Sequence, residues 1–196
     1  MTLIALIRHG ATAWNEEGRF QGHADVPLSP EGRAELRKLE PHPALRGAVW
    51  LVSPRRRCIE TARLLGHEPR PEPGLLETNW GAYEGLTRAA TSGLSNRISA
   101  RGEAGLDFHA PGGESPRQVQ QRLQQFFARL AAEGPDFAVG VTHKGIIRAT
   151  LSLAIGWDMK DKPPMKLKWR AAHLFRLFPD GHPKLEAPNL FLGKRA

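Results

Sequence analysis

The sequence lacks several features that mark secreted and membrane-bound proteins. Its 196 residues include a single cysteine, Cys58, so no disulfide can form within the chain, which fits a reducing compartment. No segment has the roughly 18 consecutive apolar residues that a membrane span needs. The N-terminus has no basic region followed by a long apolar one, which is the pattern of an exported chain. We therefore expect a cytoplasmic protein with no membrane contact.

Signals of nucleic-acid binding are also missing, although the formal net charge is +8. The sequence has no zinc-knuckle spacing and no run of interleaved aromatic and basic residues. Its basic residues are scattered, apart from small concentrations at residues 55–57 and 160–168. A basic balance steers anions of any kind, so attraction of a small phosphorylated molecule accounts for the charge. We expect no nucleic-acid partner.

Strand and helix patterns alternate along the chain, which is typical of an α/β fold, and the length fits one domain over residues 1–196. Apolar runs predict strands at residues 3–7, 48–52, 137–142, 169–177 and 190–192.

Helix signals fall between these strands. Serine followed by proline predicts helix starts at Ser29 and Ser115. Apolar residues recur at helical spacing from Val119 to Leu130, which predicts an amphipathic helix there. The other predicted helices span residues 30–39, 57–66 and 145–156, and an extended connector is expected at 69–74.

The first strand ends abruptly in Arg8, His9 and Gly10. Ligands of open α/β sheets bind at the carboxyl ends of the strands, so His9 is expected at the rim of a crevice, beside a cation. The alternative is a polar turn in which His9 only caps the strand. These three residues alone do not decide between the two interpretations.

The residues that follow favour the first interpretation. Residues 8–36 resemble the histidine phosphatase superfamily, also called the phosphoglycerate mutase-like family. The matching positions are Arg8, His9, Gly10, Thr12, Trp14, Asn15, Gly18, Arg19, Gln21, Gly22, Asp25, Pro27 and Leu28. The resemblance implies a three-layer α/β/α sandwich with a mostly parallel central sheet and a site at the carboxyl ends of its strands.

A second part of the family pattern lies at residues 53–62, SPRRRCIETA. Its alignment places the family's catalytic arginine on Arg57, while Arg55 stands where leucine is common. Positive charge is unfavourable at a helix N-terminus, so a bound anion would offset the cost of this cluster. The alternative is that the arginines only solvate the helix end.

A third part lies at residues 75–85, LLETNWGAYEG. The resemblance implies that Glu77 donates a proton to the leaving oxygen, and such a carboxyl must be partly desolvated to hold a proton near neutral pH. Glu84 is the competing carboxylate, with a supporting place in the family. Mutases of the family carry RHYG after the acidic residue, whereas this chain has TNWG.

The last two parts are PGGES at residues 111–115 and the strand end at His143. By resemblance, His143 is the second catalytic histidine. Lys144 replaces a common glycine, and its ammonium could reach the substrate phosphate or a second anion. Three other histidines lack motif context and are interpreted as structural or surface residues: His109, His173 and His182.

Together these parts imply phosphomonoester hydrolysis through a phosphohistidine. His9 would be the nucleophile, and cations would neutralise the phosphoryl oxygens without a metal ion or other cofactor. The catalytic residues expected are His9, Arg8, Arg57, Glu77 and His143. The residues expected to contact substrate are Asn15, Gln21, Gly22 and Lys144.

Two alternatives keep the same fold. One is a 2,3-bisphosphoglycerate-dependent phosphoglycerate mutase, although the long WRRSYD-containing insertion of those enzymes has no match here. The other is a non-catalytic binding protein.

Residues 86–110 match no pattern and are expected to cap the site and set its specificity for a small phosphorylated metabolite. A homodimer is one option for the assembly.

Overall fold

The computed structural model describes residues 2–92 and 104–194 of the chain. Its larger sheet contains β1 (Thr2–Arg8), β3 (Val49–Val52), β4 (Arg70–Pro71), β5 (Phe137–Thr142), β6 (Ala171–Leu177) and β7 (Pro183–Phe191). The strand order is β4-β3-β5-β1-β6-β7. A second sheet pairs β2 (Leu39–Glu40) with β8 (Gly193–Lys194).

The larger sheet is parallel at its centre. Strands β4, β3, β5 and β1 run parallel, while β6 and β7 are added in antiparallel orientation. The β1–β5 register runs from Leu3 opposite Phe137 to Arg8 opposite Thr142. The carboxyl ends of these two strands are therefore level, and the residues that follow them enter the same crevice.

Helices cover both faces of the sheet. They are α1 (Ala13–Glu16), α2 (Pro30–Arg37), α3 (Arg56–Leu64), α4 (Arg88–Ser92), α5 (Pro116–Glu133) and α6 (Lys144–Ile155). In β1, Ile4 and Leu6 join the core under α5 and α6, whereas Ala5 and Ile7 join the core under α2 and α3. This alternation confirms the expected three-layer α/β/α sandwich with a mostly parallel sheet.

The helix boundaries follow the capping signals in the sequence. Ser29 accepts a hydrogen bond from the Gly32 amide, and Ser115 forms a reciprocal capping box with Gln118. The predicted apolar stripe of α5 is buried. Helix α6 ends at Gly156, whose φ of 68° is a left-handed conformation that glycine adopts without strain.

Strand β7 differs most from expectation, because it begins at Pro183 rather than at residue 190. It is an edge strand with few fully buried residues, so its sequence carries little apolar signal. Its proline residues are tolerated because an edge strand has amides that need no partner in the sheet. The connector at residues 69–74 contains the short strand β4 and the start of a 3₁₀ helix, Pro73–Leu75.

Only the two ends of the expected cap at 86–110 belong to the described residues. They contain α4 and a 3₁₀ helix, Gly105–Asp107, whereas residues 93–103 lie outside the description. Within the described part of the chain, no helix has the length and apolar character needed to cross a bilayer.

Candidate active site

Three neighbouring parallel strands deliver polar residues to one place. The backbone ladder continues past the strand ends, because the His9 amide donates to the Thr142 carbonyl at 2.9 Å and the Ser53 amide donates to Val141 at 3.0 Å. His9 follows β1, Ser53 follows β3 and His143 follows β5. The His9 and His143 rings consequently lie edge to face, with centroids 5.2 Å apart.

His9 is buried and held as a neutral ring. Its Nδ1 lies 2.7 Å from the carbonyl oxygen of Gly10, so Nδ1 carries the proton and Nε2 carries the lone pair. Burial lowers the pKa of His9 well below its usual value, and the charges of Arg8 and Arg57 lower it further. The Gly10 amide in turn donates to Thr61 Oγ1 at 3.0 Å.

A cavity of about 680 Å³ opens beside His9. This volume suits a small metabolite. Two buried donors on its lining, Arg8 Nε and Gln21 Nε2, have no hydrogen-bond acceptor among residues 2–92 and 104–194. Buried donors without acceptors are costly, so the cavity is built for an acceptor-rich ligand.

The polar loop after β1 places two of the expected substrate contacts on this cavity. Asn15 lines it and forms a capping box with Thr12. The Thr12 hydroxyl donates to Gln21 Oε1 at 3.2 Å. The amide nitrogen of Gln21 is therefore the donor that can bind a ligand in the cavity. Gly22 has a different role here, because its carbonyl accepts from Arg57 at 2.7 Å.

Arg57 is fully buried and is not part of the cavity lining. Its guanidinium donates to the carbonyls of Gly22 and Ala24, both at 2.7 Å, and to His143 Nδ1 at 3.3 Å. The anion expected at the N-terminus of α3 is supplied by the protein, because Asp25 accepts from the Arg56 amide at 2.8 Å.

His143 is also fully buried, at the N-cap of α6. Nδ1 accepts from Arg57, and Nε2 lies 2.8 Å from the Ser53 hydroxyl. Burial lowers the pKa of His143 well below its usual value, with Arg57 and His9 as further causes. The geometry therefore favours a neutral His143 ring.

Glu77 also lines the cavity and is buried. Burial raises the pKa of its carboxyl, although hydrogen bonds from the amides of Thr78 and Gly145 oppose the rise. Those bonds measure 2.9 and 3.2 Å. Only glycine permits this approach, because a Cβ at position 145 would lie 2.2 Å from a Glu77 oxygen.

Glu84 lies outside the lining of the cavity. Its Oε1 accepts from the Ala24 amide at 2.8 Å, in the segment that also binds Arg57. This placement fits the supporting role expected for Glu84. Lys144 does line the cavity, with its ammonium 5.1 Å from the ring centroid of Trp169.

Arg122 is a residue that the sequence analysis missed. Its guanidinium donates to the carbonyls of Gly74, Leu76 and Glu77, at 3.0, 2.8 and 3.3 Å. It also forms a salt bridge with Glu114 at 2.7 Å, and Glu114 accepts from the Asn79 amide at 3.3 Å. Arg122 and Glu114 therefore hold both ends of the loop that carries Glu77.

The three histidines interpreted from the sequence as structural or surface residues lie outside the cavity lining. His173 is buried on β6, next to β1, and burial lowers its pKa to about 4. His109 Nδ1 lies 3.2 Å from the Ala110 carbonyl, and His182 is partly exposed. Within the described residues, no three His, Cys, Asp or Glu side chains are grouped to hold a metal ion.

Comparison with known proteins places these features in a family. The model of the histidine phosphatase superfamily, branch 1, matches residues 4–189. A Gloeobacter violaceus protein named 2,3-bisphosphoglycerate-dependent phosphoglycerate mutase 2 is 33% identical over 165 residues, covering 77% of this chain and 74% of the relative. A Mycobacterium tuberculosis protein named acid phosphatase is 38% identical over 138 residues, covering 66% and 63%.

The solved structures agree with this fold. The crystal structure of TTHB049 from Thermus thermophilus superimposes with a TM-score of 0.74 at 30% identity. The superposition covers 97% of this chain and all of that one.

Proposed function

The chain belongs to the histidine phosphatase superfamily, and we propose that it hydrolyses phosphate monoesters of small metabolites through a phosphohistidine at His9. The observation that carries this proposal is the neutral, buried His9 ring beside unsatisfied donors. Its Nδ1 proton is bound by Gly10, so the lone pair on Nε2 is the nucleophile. Arg8 Nε and Gln21 Nε2 lack acceptors in the described part of the chain, as a phosphate site requires.

Charge on the phosphoryl oxygens is neutralised by arginine in this mechanism. Arg8 would bind the phosphoryl group directly, and Arg57 would act from beneath it. His143 holds Arg57 through Nδ1, which leaves the Nε2 proton as its donor. We propose that this proton, directed at Ser53 in the structure, serves a phosphoryl oxygen when substrate is bound. Phosphoryl transfer depends mainly on such positioning and charge neutralisation, so no metal ion is invoked.

Glu77 would complete the first step as a general acid. His9 Nε2 forms a bond to phosphorus while the bond from phosphorus to the ester oxygen breaks, and the Glu77 proton passes to that oxygen. A water molecule then attacks the phosphohistidine and gives its proton to Glu77. The phosphorus–nitrogen bond breaks, inorganic phosphate leaves, and His9 regains its lone pair. The raised pKa of Glu77 suits this exchange because it keeps the carboxyl protonated closer to neutral pH.

A mutase is the second candidate, since one relative carries that name. A mutase would use the same phosphohistidine but return the phosphoryl group to the substrate skeleton. The loop after Glu77 reads TNWG here, which lacks the RHYG residues of mutases. We therefore favour hydrolysis, and the two activities differ in whether inorganic phosphate or an isomeric monoester accumulates.

The test measures phosphate release from para-nitrophenyl phosphate by wild type, His9→Ala and a control, His182→Ala. His9→Ala should lose at least about 10,000-fold in rate, as the loss of a covalent nucleophile does. His182→Ala should keep its rate because His182 lies outside the cavity. Mass spectrometry of wild type denatured in alkali during turnover should find phosphate on His9, and EDTA should leave the rate nearly unchanged. A His9→Ala enzyme that retains turnover would contradict the proposal.

A further inference from the structure

The backbone of His9 is bound on its two sides by different kinds of partner. On the N-terminal side, the His9 amide donates to the Thr142 carbonyl at 2.9 Å and so extends the ladder between β1 and β5. On the C-terminal side, the Gly10 amide donates at 3.0 Å to a side chain, the hydroxyl of Thr61 on α3. The amide that follows the nucleophile is therefore bound by one threonine and not by a strand.

The Thr61 hydroxyl has both of its hydrogen-bonding roles assigned. It donates to the Arg57 carbonyl at 2.6 Å, and because a carbonyl oxygen can only accept, the hydroxyl proton lies in that bond. A lone pair of the same oxygen then accepts from the Gly10 amide. Thr61 is fully buried, so bulk water has no access to either bond. One hydroxyl group thus joins the loop that follows His9 to the helix that carries Arg57.

A second buried threonine shows what sets Thr61 apart. Thr150 on α6 is also fully buried, and its hydroxyl donates to the carbonyl four residues earlier, that of Ile146, at 3.0 Å. Such a bond is a common local arrangement for threonine inside a helix. Thr61 forms the same bond within α3 and in addition accepts from an amide 51 positions away in sequence. That amide belongs to the residue beside the nucleophile.

The Gly10 backbone matters because its carbonyl sets the tautomer of the nucleophile. This carbonyl oxygen lies 2.7 Å from His9 Nδ1, keeps the proton on that nitrogen and leaves the lone pair on Nε2. The direction of the carbonyl depends on the torsion angles of Gly10, and glycine has no Cβ to restrict them. A bond that fixes the Gly10 amide restricts these angles from outside. Thr61 is thus connected to Nε2 through the Gly10 backbone and the imidazole ring.

We propose that Thr61 is a positioning residue for the nucleophile. Its hydroxyl holds the Gly10 backbone so that the Gly10 carbonyl keeps His9 in the tautomer with a lone pair on Nε2. This inference rests on the proposed phosphatase function and adds to it a residue that lies outside the cavity lining. Because the same hydroxyl binds the Arg57 carbonyl, it also ties the loop after the nucleophile to the helix of Arg57.

The test compares Thr61→Val, which keeps the shape of threonine and loses the hydroxyl, with Thr61→Ser, which keeps the hydroxyl and loses the methyl group. The measurement is the rate of phosphohistidine formation, followed by rapid quench over a range of substrate concentrations. Thr61→Val should lower the rate at saturating substrate by roughly 10- to 100-fold, because a reacting group displaced by about 1 Å costs this much. The substrate concentration that gives half of that rate should change little. Thr61→Ser should keep most of the wild-type rate.

The tautomer of His9 is the second readout, since a change in packing alone would not alter it. Nitrogen NMR of the histidine rings should show a protonated Nδ1 and an unprotonated Nε2 for His9 in wild type and in Thr61→Ser. Thr61→Val should show a mixture of the two tautomers. The spectrum of His9→Ala identifies the signals that belong to His9.

The matched control is Thr150→Val, which removes an equally buried hydroxyl with the same bond inside its helix. It should change neither the rate nor the tautomer. If Thr61→Val does not fold, Thr61→Ala takes its place, because alanine favours the helix and also lacks the hydroxyl.

A wild-type rate or an unchanged tautomer in the variant without the hydroxyl would overturn the positioning role, and so would an equal loss of rate in Thr61→Ser. The function itself fails separately, if His9→Ala still turns over para-nitrophenyl phosphate.

Discussion

The two sides of the active site are held in place by different means. On the strand side, His9 and His143 follow adjacent parallel strands, and the backbone ladder continues to the His9 amide. On the loop side, Glu77 lies between two 3₁₀ helices, Pro73–Leu75 and Gly81–Tyr83, in no strand of the sheet. Side chains hold this loop, chiefly Arg122. The nucleophile is therefore placed by the sheet and the acid by hydrogen bonds from a distant helix.

This difference predicts which substitutions remove a catalytic group and which ones only misplace it. A substitution on the strand side should remove a chemical group while its neighbours stay in register. On the loop side, a residue that never contacts substrate should still control the acid.

On the loop side, the largest expected effect comes from removing the acid itself. Glu77→Gln should slow hydrolysis of an alkyl phosphate by about 100- to 10,000-fold, the usual value of general acid catalysis. Nitrophenolate leaves with little help, so para-nitrophenyl phosphate should suffer much less. The measurement is kcat/KM for both esters.

Glu84→Gln is the matched control, because Glu84 binds the Ala24 amide and lies outside the cavity lining. Its effect should be similar on the two esters. Selective loss on the alkyl ester for Glu84→Gln, with equal losses for Glu77→Gln, would assign the acid to the other glutamate.

The contrast between the two sides also explains how much the sequence could predict. His9 and His143 were predictable because an apolar run that ends in a polar residue marks a strand end, and parallel strand ends meet. Glu77 needed the family resemblance, since nothing local distinguishes it from Glu84. Arg122 gave no signal, because it lies 45 residues from Glu77 in sequence and contacts that loop largely through carbonyls.

The surroundings of the strand-side residues were less predictable than their positions. The expected anion at the N-terminus of α3 is Asp25, which the sequence places 31 residues before Arg56. The neutral state of His143 depends on Arg57 and Ser53, which approach it only in the folded chain. Packing brings these hydrogen-bond partners together from distant parts of the sequence, so local sequence patterns do not predict them.

The second prediction concerns Arg122, which holds the loop that carries Glu77. Arg122→Met should lower kcat on the alkyl phosphate by roughly 10- to 100-fold, because a misplaced catalytic group costs about this much. KM should change little, and para-nitrophenyl phosphate should be affected less. Arg122 also lowers the pKa of Glu77, so its loss should move the alkaline limb of the pH profile to higher pH. Arg122→Lys should restore part of the rate.

Arg129→Met is the control, since Arg129 lies on the same helix and pairs with Glu72 at the surface. It should show neither the leaving-group dependence nor the pH shift. A double variant, Glu77→Gln/Arg122→Met, should be no slower on the alkyl ester than Glu77→Gln alone, because both changes act on one proton transfer. Additive losses would mean that Arg122 acts only through stability.

The smallest expected effect concerns stability on the strand side and leaves the chemistry untouched. His173 pairs with Leu6 of β1, and burial lowers its pKa to about 4 from an ordinary value near 6.5. Between these values the unfolded chain binds the proton and the folded chain does not, so stability falls as pH is lowered through this window. One such group contributes at most about 1.4 kcal/mol per pH unit to the free energy of unfolding.

The test replaces His173 by asparagine, whose side-chain oxygen can still accept from the Asn189 amide. Between pH 6.5 and pH 4, the free energy of unfolding of His173→Asn should fall by about 1 to 3 kcal/mol less than that of wild type. Urea unfolding at several pH values measures the difference, with the partly exposed His182→Asn as control. If the free energy of unfolding of His173→Asn changes with pH as steeply as that of wild type, His173 is protonated in the folded sheet. The strand side would then be less insulated from water than its burial implies.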